Sequence, residues 1–66
     1  MEQLKRLRLA NKMTLQQLGA MIGKTAISVS RYENGHRKPD ITTLLKLSDI
    51  FGVTVDKLIK SDNNDR

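Results

Sequence analysis

Four residues able to cap the start of a helix, Thr14, Thr25, Asp40 and Thr54, alternate along this chain with three glycines able to end one, Gly23, Gly35 and Gly52. Each interval leaves room for roughly two to three helical turns and no more. Thr14-Leu15-Gln16-Gln17 has the form of a capping box, in which a threonine oxygen and a glutamine three residues on satisfy each other's main-chain N–H groups. The helix that follows is expected to bury Leu18, Met21 and Ile22 and to stop at Gly23. Thr25 comes only two residues later and opens a helix from Ala26 to about Asn34, closed by Gly35.

The remaining segments read in the same way. Leu4 and Leu7 lie on one stripe between Glu2 and Lys12, with Lys5, Arg6 and Lys12 off it, which predicts a first short amphipathic helix. After Gly35 comes a basic loop, His36-Arg37-Lys38-Pro39, whose proline disfavours helix just before it. Asp40 caps a fourth helix with an inner stripe of Ile41, Leu44, Leu47, Ser48 and Phe51. Thr54 caps a fifth, with Val55 and Leu58 inward and Asp56 in its first turn, where the helix dipole favours an acid. No segment alternates apolar and polar residues, so the expected class is all-α: a compact bundle of five short helices. Residues 1–60 form one domain in this reading, and the polar tail 61–66 is expected to be disordered. The second and third helices, joined by so short a turn, have the spacing of a helix-turn-helix.

Sixty-six residues without a cysteine leave neither disulfides nor thiolate zinc sites to reinforce a small core. Such a core supplies roughly 3–5 kcal/mol by itself, so well-formed helices or a partner must contribute. No run of 18 apolar residues exists to span a membrane, and the first residues lack a secretion signal; the expected location is cytoplasmic.

The net charge of +5 is unevenly placed. Residues 1–39 hold eight Lys and Arg against two Glu, a balance of +6, whereas residues 40–66 hold four against five Asp, a balance of −1. That asymmetry suits one face built for a polyanion.

The third helix is where such a face has chemistry. On a helical wheel Val29 and Tyr32 fall together inward, with Ser28 at the edge, while Ala26, Ile27, Ser30, Arg31 and Asn34 share the other side. One arginine, small residues and an isoleucine make an odd solvated surface and a suitable one for a major groove. Arginine pairs with the O6 and N7 of guanine, and an aliphatic group touches a thymine methyl. Arg31 and Ile27 fill these roles, with Ala26 and Ser30 beside them. Asn34, Arg37 and Lys38 follow directly as candidate phosphate contacts. Thr14 and Thr25 mark helix starts whose free N–H groups favour anions.

Catalysis is not expected. His36 has no second His or Cys to complete a metal site, Ser28, Ser30 and Ser48 lack an evident base, and no phosphate-binding glycine loop is present. The sequence calls for no cofactor and shows no small-molecule ligand.

Residues 14–35 resemble the helix-turn-helix of phage repressors and Cro proteins, the group also called the xenobiotic-response-element family. Gly19, Gly23, Val29 and the Glu33-Asn34-Gly35 ending fall in register. So do Lys38-Pro39 before the fourth helix and Phe51-Gly52-Val53-Thr54-Val55-Asp56 before the fifth, and the likeness covers about residues 2–60.

The resemblance implies a lambda repressor-like fold and a sequence-specific regulator of transcription, a repressor, that binds a palindromic double-stranded DNA operator as a homodimer. It implies a structural ion pair between Arg8 and Glu33, and a dimer surface in the region of the fourth and fifth helices, with Val53, Val55 and Ile59 as candidates. An alternative is a protein-interaction module of the same fold, an antitoxin or antirepressor partner that does not read DNA. Two departures stand out. Leu15 occupies a position where the family often has glutamine, leaving Gln16 as the substitute phosphate contact. Gly19 stands where alanine is usual, which implies close packing of the second and third helices.

Overall fold

The computed structural model describes residues 1–60, and the tail expected at 61–66 lies outside them. Five helices follow in order: α1 (Glu2–Ala10), α2 (Leu15–Ile22), α3 (Ala26–Glu33), α4 (Ile41–Phe51) and α5 (Val55–Lys60). The described residues contain no strand, and the architecture is all-α.

Local chemistry sets the boundaries. At α2, the Gln17 N–H donates to Thr14 Oγ1 (3.0 Å) while the Thr14 N–H donates to Gln17 Oε1 (2.8 Å), a closed capping box. The Ser28 N–H donates to Thr25 Oγ1, the Thr43 N–H to Asp40 Oδ1 and the Lys57 N–H to Thr54 Oγ1, so each remaining cap satisfies a donor that its helix leaves open. Gly23 ends α2 in the left-handed conformation, at φ 71°, where a side chain would be strained.

Helix α1 stops at Ala10 rather than reaching Lys12 as the pattern suggested. Lys12 itself turns left-handed, at φ 57°. The Lys12 N–H then donates to the Leu9 carbonyl (2.9 Å) and the Met13 N–H to the Arg8 carbonyl (3.1 Å), a Schellman ending made without glycine.

Leu4, Leu18, Ile22, Val29, Leu47 and Leu58 are fully buried at the centre, and Met1 and Tyr32 close the core. Two side chains expected inside lie outside. Met21 is 54% exposed and Ile41 71% exposed. On α2 the buried set is Leu18, Gly19 and Ile22; packing of Gly19 against the start of α3 turns the inner face about 110° away from Met21. Ile41 is the first residue of α4 and lies about 120° around the helix from buried Leu47. Ser48, on the same inner stripe, makes a polar link, because its hydroxyl donates to the Val53 carbonyl and ties α4 to the loop before α5.

Candidate nucleic-acid interface

Helix α3 is held from inside by Val29 and Tyr32 and from its end by Glu33. Arg8 Nε donates to Glu33 Oε2 at 2.6 Å and Arg8 Nη2 to Glu33 Oε1 at 3.2 Å, a forked ion pair with both side chains buried. The third arm, Nη1, donates to the Met13 carbonyl at 2.8 Å. One guanidinium therefore joins α1, the turn before α2 and the end of α3. The Met1 main-chain nitrogen donates to the Tyr32 and Glu33 carbonyls, which point out of the same helix end. Pinned at this end, α3 presents its other face in a fixed orientation.

That face has a graded exposure. Ile27 is 63% exposed and Arg31 is exposed, while Ala26 and Ser30 are half-buried. Arg31 takes part in no ion pair among the described residues, so its guanidinium is available to a ligand. Ser30 is partly committed: Asn34 Nδ2 donates to its Oγ at 3.3 Å. Thr25 Oγ1, besides capping the helix, donates to Ser28 Oγ at 3.2 Å.

The candidate phosphate contacts surround this face. Thr14, Gln16, Thr25, Asn34, Arg37 and Lys38 are all exposed. The turn that carries the last three is built on α3 itself, because the Gly35 N–H donates to the Tyr32 carbonyl and the His36 N–H to the Arg31 carbonyl, at 3.3 and 2.9 Å. Gly35 permits this ending with φ 78°. The loop cations are thereby carried at a fixed place relative to Arg31. Pro39 is buried and Asp40 caps α4 beyond it. Hydrogen bonds from Thr43, with Lys24 and Lys46 nearby, hold the Asp40 carboxyl below its usual range.

Leu15, at the start of α2, is half-buried and packs against the core. Of the three dimer candidates, Val53 also packs against the core and Val55 is half-buried, whereas Ile59 is 43% exposed. Ile59 lines a groove together with Tyr32, Arg37, Lys38, Pro39 and Leu44.

Sequence reasoning missed one contribution to the site: the third hydrogen bond of Arg8, to Met13, has no signature in spacing. The close packing expected at Gly19 is present, where an added Cβ would lie 2.7 Å from the Lys24 carbonyl oxygen.

Residues 4–58 match the helix-turn-helix family. Over 65 residues the chain is 37% identical to YqaE, an uncharacterized HTH-type transcriptional regulator of Bacillus subtilis (strain 168), a match covering 98% of this chain and 56% of YqaE. It is 39% identical over 59 residues to YonR, an SPbeta prophage-derived uncharacterized HTH-type transcriptional regulator of the same strain, covering 89% of this chain and 55% of YonR. The chain thus spans about half the length of these curated relatives. Among solved structures it is similar to the P22 c2 repressor protein in complex with synthetic operator 9T, with a TM-score of 0.86, 30% identity and 92% of each chain covered.

Proposed function

We propose that this chain, which belongs to the helix-turn-helix family of phage repressor and Cro-like regulators, is a sequence-specific double-stranded DNA-binding regulator of transcription that reads its site with α3. The observation that carries this reading is the pairing of an exposed Ile27 with an uncommitted Arg31 on one rigidly held helix face. Its solved neighbour is a repressor bound to a synthetic operator, which supports the same role here.

In this reading α3 enters the major groove. Arg31 takes guanine through O6 and N7, and Ile27 packs on a thymine methyl. Ala26 keeps the approach narrow, and Ser30 supports the contact without selecting one base. Arg37, Lys38, Asn34 and Gln16, with the helix starts at Thr14 and Thr25, hold phosphates on either side. These contacts give affinity and orientation without sequence information, and they make binding salt-dependent.

Two copies act together, on half-sites one helical turn (about 34 Å) apart in a palindromic operator. With its longest Cα extent, 33 Å, along the operator, each copy would nearly fill that spacing and so reach its neighbour. Ile59 and the groove beside it are the proposed meeting point, with Val55 and Val53 behind them. Bound in this way, the dimer represses by occupying its operator.

Selection of bound duplexes from a random pool, followed by mobility shifts at two salt concentrations, tests the proposal. A palindromic motif bound in preference to random DNA is the expected result. Binding without any preference, or no binding, would favour a protein-interaction role for the same fold.

A further inference from the structure

We propose that the α-ammonium of Met1 is a positioning group for the loop that carries Arg37 and Lys38, so that an acyl group on that nitrogen weakens DNA binding. The inference rests on the reading of those two cations as phosphate contacts and adds what holds them in place.

A helix leaves its last four carbonyls without partners of its own. At the end of α3 the main chain that follows serves three of them. The Asn34 N–H donates to the Ser30 carbonyl, the His36 and Arg37 N–H groups to Arg31, and the Gly35 N–H to Tyr32. Met1 completes the set: its nitrogen donates to the Tyr32 carbonyl at 3.2 Å and to the Glu33 carbonyl at 3.4 Å. The Tyr32 oxygen thus serves both Met1 and the glycine that opens the loop. A cation at this end also meets the negative pole of the helix dipole.

Met1 is fixed for the purpose. It is buried in the core with Leu4 and Tyr32, and its carbonyl accepts the Leu4 N–H at 3.1 Å, which ties it to the first turn of α1. It lines the groove beside Gly35, Arg37, Lys38 and Pro39. Arg8 grips the Glu33 side chain, whereas Met1 grips the main-chain oxygens from which the loop departs. The first contact orients the helix and the second roots the loop.

An ammonium offers three N–H donors and a full charge. An acylated nitrogen keeps one N–H, carries no charge and adds a planar group. It cannot serve both carbonyls as the ammonium does, and the added group has to find space beside a buried residue. The root of the loop then shifts, while buried Val29 and Tyr32 and the Arg8–Glu33 pair keep α3 itself in place. Phosphate contacts weaken and base contacts do not. A residue placed before Met1 acts as an acyl group does, because it turns the same nitrogen into a peptide amide.

The experiment compares three synthetic chains: one with the amine intact, one Nα-acetylated, and one in which hydrogen replaces the α-amino group. The last removes the charge and the donors without adding bulk. Both altered chains are expected to lose about tenfold in affinity on preferred and random duplexes alike, with the slope of log K against log salt reduced by about 1–2. Discrimination at the base pair read by Arg31, identified with Arg31→Ala, is expected to stay at its original value. Lys38→Ala, which lowers the slope by about 1 in the intact chain, should add little in either altered chain, because the loop is already displaced. An undiminished effect of Lys38→Ala there would make the ammonium one more positive charge and overturn the proposal. Unchanged affinity in both altered chains overturns it too, as does loss of base discrimination. Altered chains that both fail to fold would make Met1 a determinant of the whole fold and likewise overturn a role confined to the loop. An intact chain that binds no duplex overturns the DNA-binding function itself, a result distinct from the failure of Met1 to root the loop.

Discussion

Arg8 and Glu33, 25 residues apart in sequence, meet through two hydrogen bonds of 2.6 and 3.2 Å in the interior between α1 and α3. With Nη1 on the Met13 carbonyl, all three guanidinium nitrogens of Arg8 have partners. The pair matters less for its attraction than for the cost of leaving either charge alone.

Removing one partner of such a pair costs about 3–5 kcal/mol. Arg8→Ala is therefore expected to lower the melting temperature sharply, and Glu33→Ala to do the same. The double variant should lose less than the sum of the two, because neither leaves a stranded charge in the other's absence. Thermal melts followed by circular dichroism check this, and a neutral Arg8→Ala would contradict it.

Lys12 occupies a left-handed conformation that suits glycine better. The steric penalty for an ordinary residue there is about 1–2 kcal/mol, offset in part by the greater chain entropy that glycine loses on folding. Lys12→Gly is expected to gain about 0.5–1 kcal/mol on that balance. A melting temperature unchanged or lowered in this variant would contradict the argument.

Asp40 caps α4 as a carboxylate, and its proton affinity is lowered by Thr43 first and then by Lys24 and Lys46. A carboxyl that holds its proton less tightly when folded stabilises the fold above the ordinary value of 3.8, and that contribution fades as pH falls below it. Melting temperature should thus decline with pH more steeply in the wild type than in Asp40→Asn below about pH 4. Parallel pH profiles for the two proteins would show that Asp40 contributes nothing through its charge.

Lys38 stands exposed in the loop that the ending of α3 carries. If it holds a phosphate, Lys38→Ala weakens every duplex about equally and reduces the slope of log K against log salt by about 1. An effect confined to one sequence would instead make Lys38 a base contact.

Much of the fold was legible because its determinants are local. Thr14, Thr25, Asp40 and Thr54 announce their helices through cap hydrogen bonds that need no tertiary partner, and Gly23, Gly35 and Gly52 mark where the chain turns left-handed. The proposed reading helix stood out for a related reason: Ile27 and Arg31 on one face are poorly explained by a solvated helix. What could not be read depends on neighbours. Periodicity places Met21 at the edge of a stripe, but only contact between Gly19 and the start of α3 decides which edge is buried. Ile41 fits the period of α4 yet lies too far around the helix from Leu47 to reach the interior. The early stop of α1 is a Schellman ending on a lysine, which composition disguises.

That α3 reads bases is tested most directly by measuring Arg31→Ala on its preferred duplex and on random DNA under the same salt. The expected result is a loss of about 1–3 kcal/mol on the preferred site, relaxed preference at one base pair and little change on random DNA. An equal loss on both would contradict a base-reading role for Arg31 and leave it one more phosphate contact.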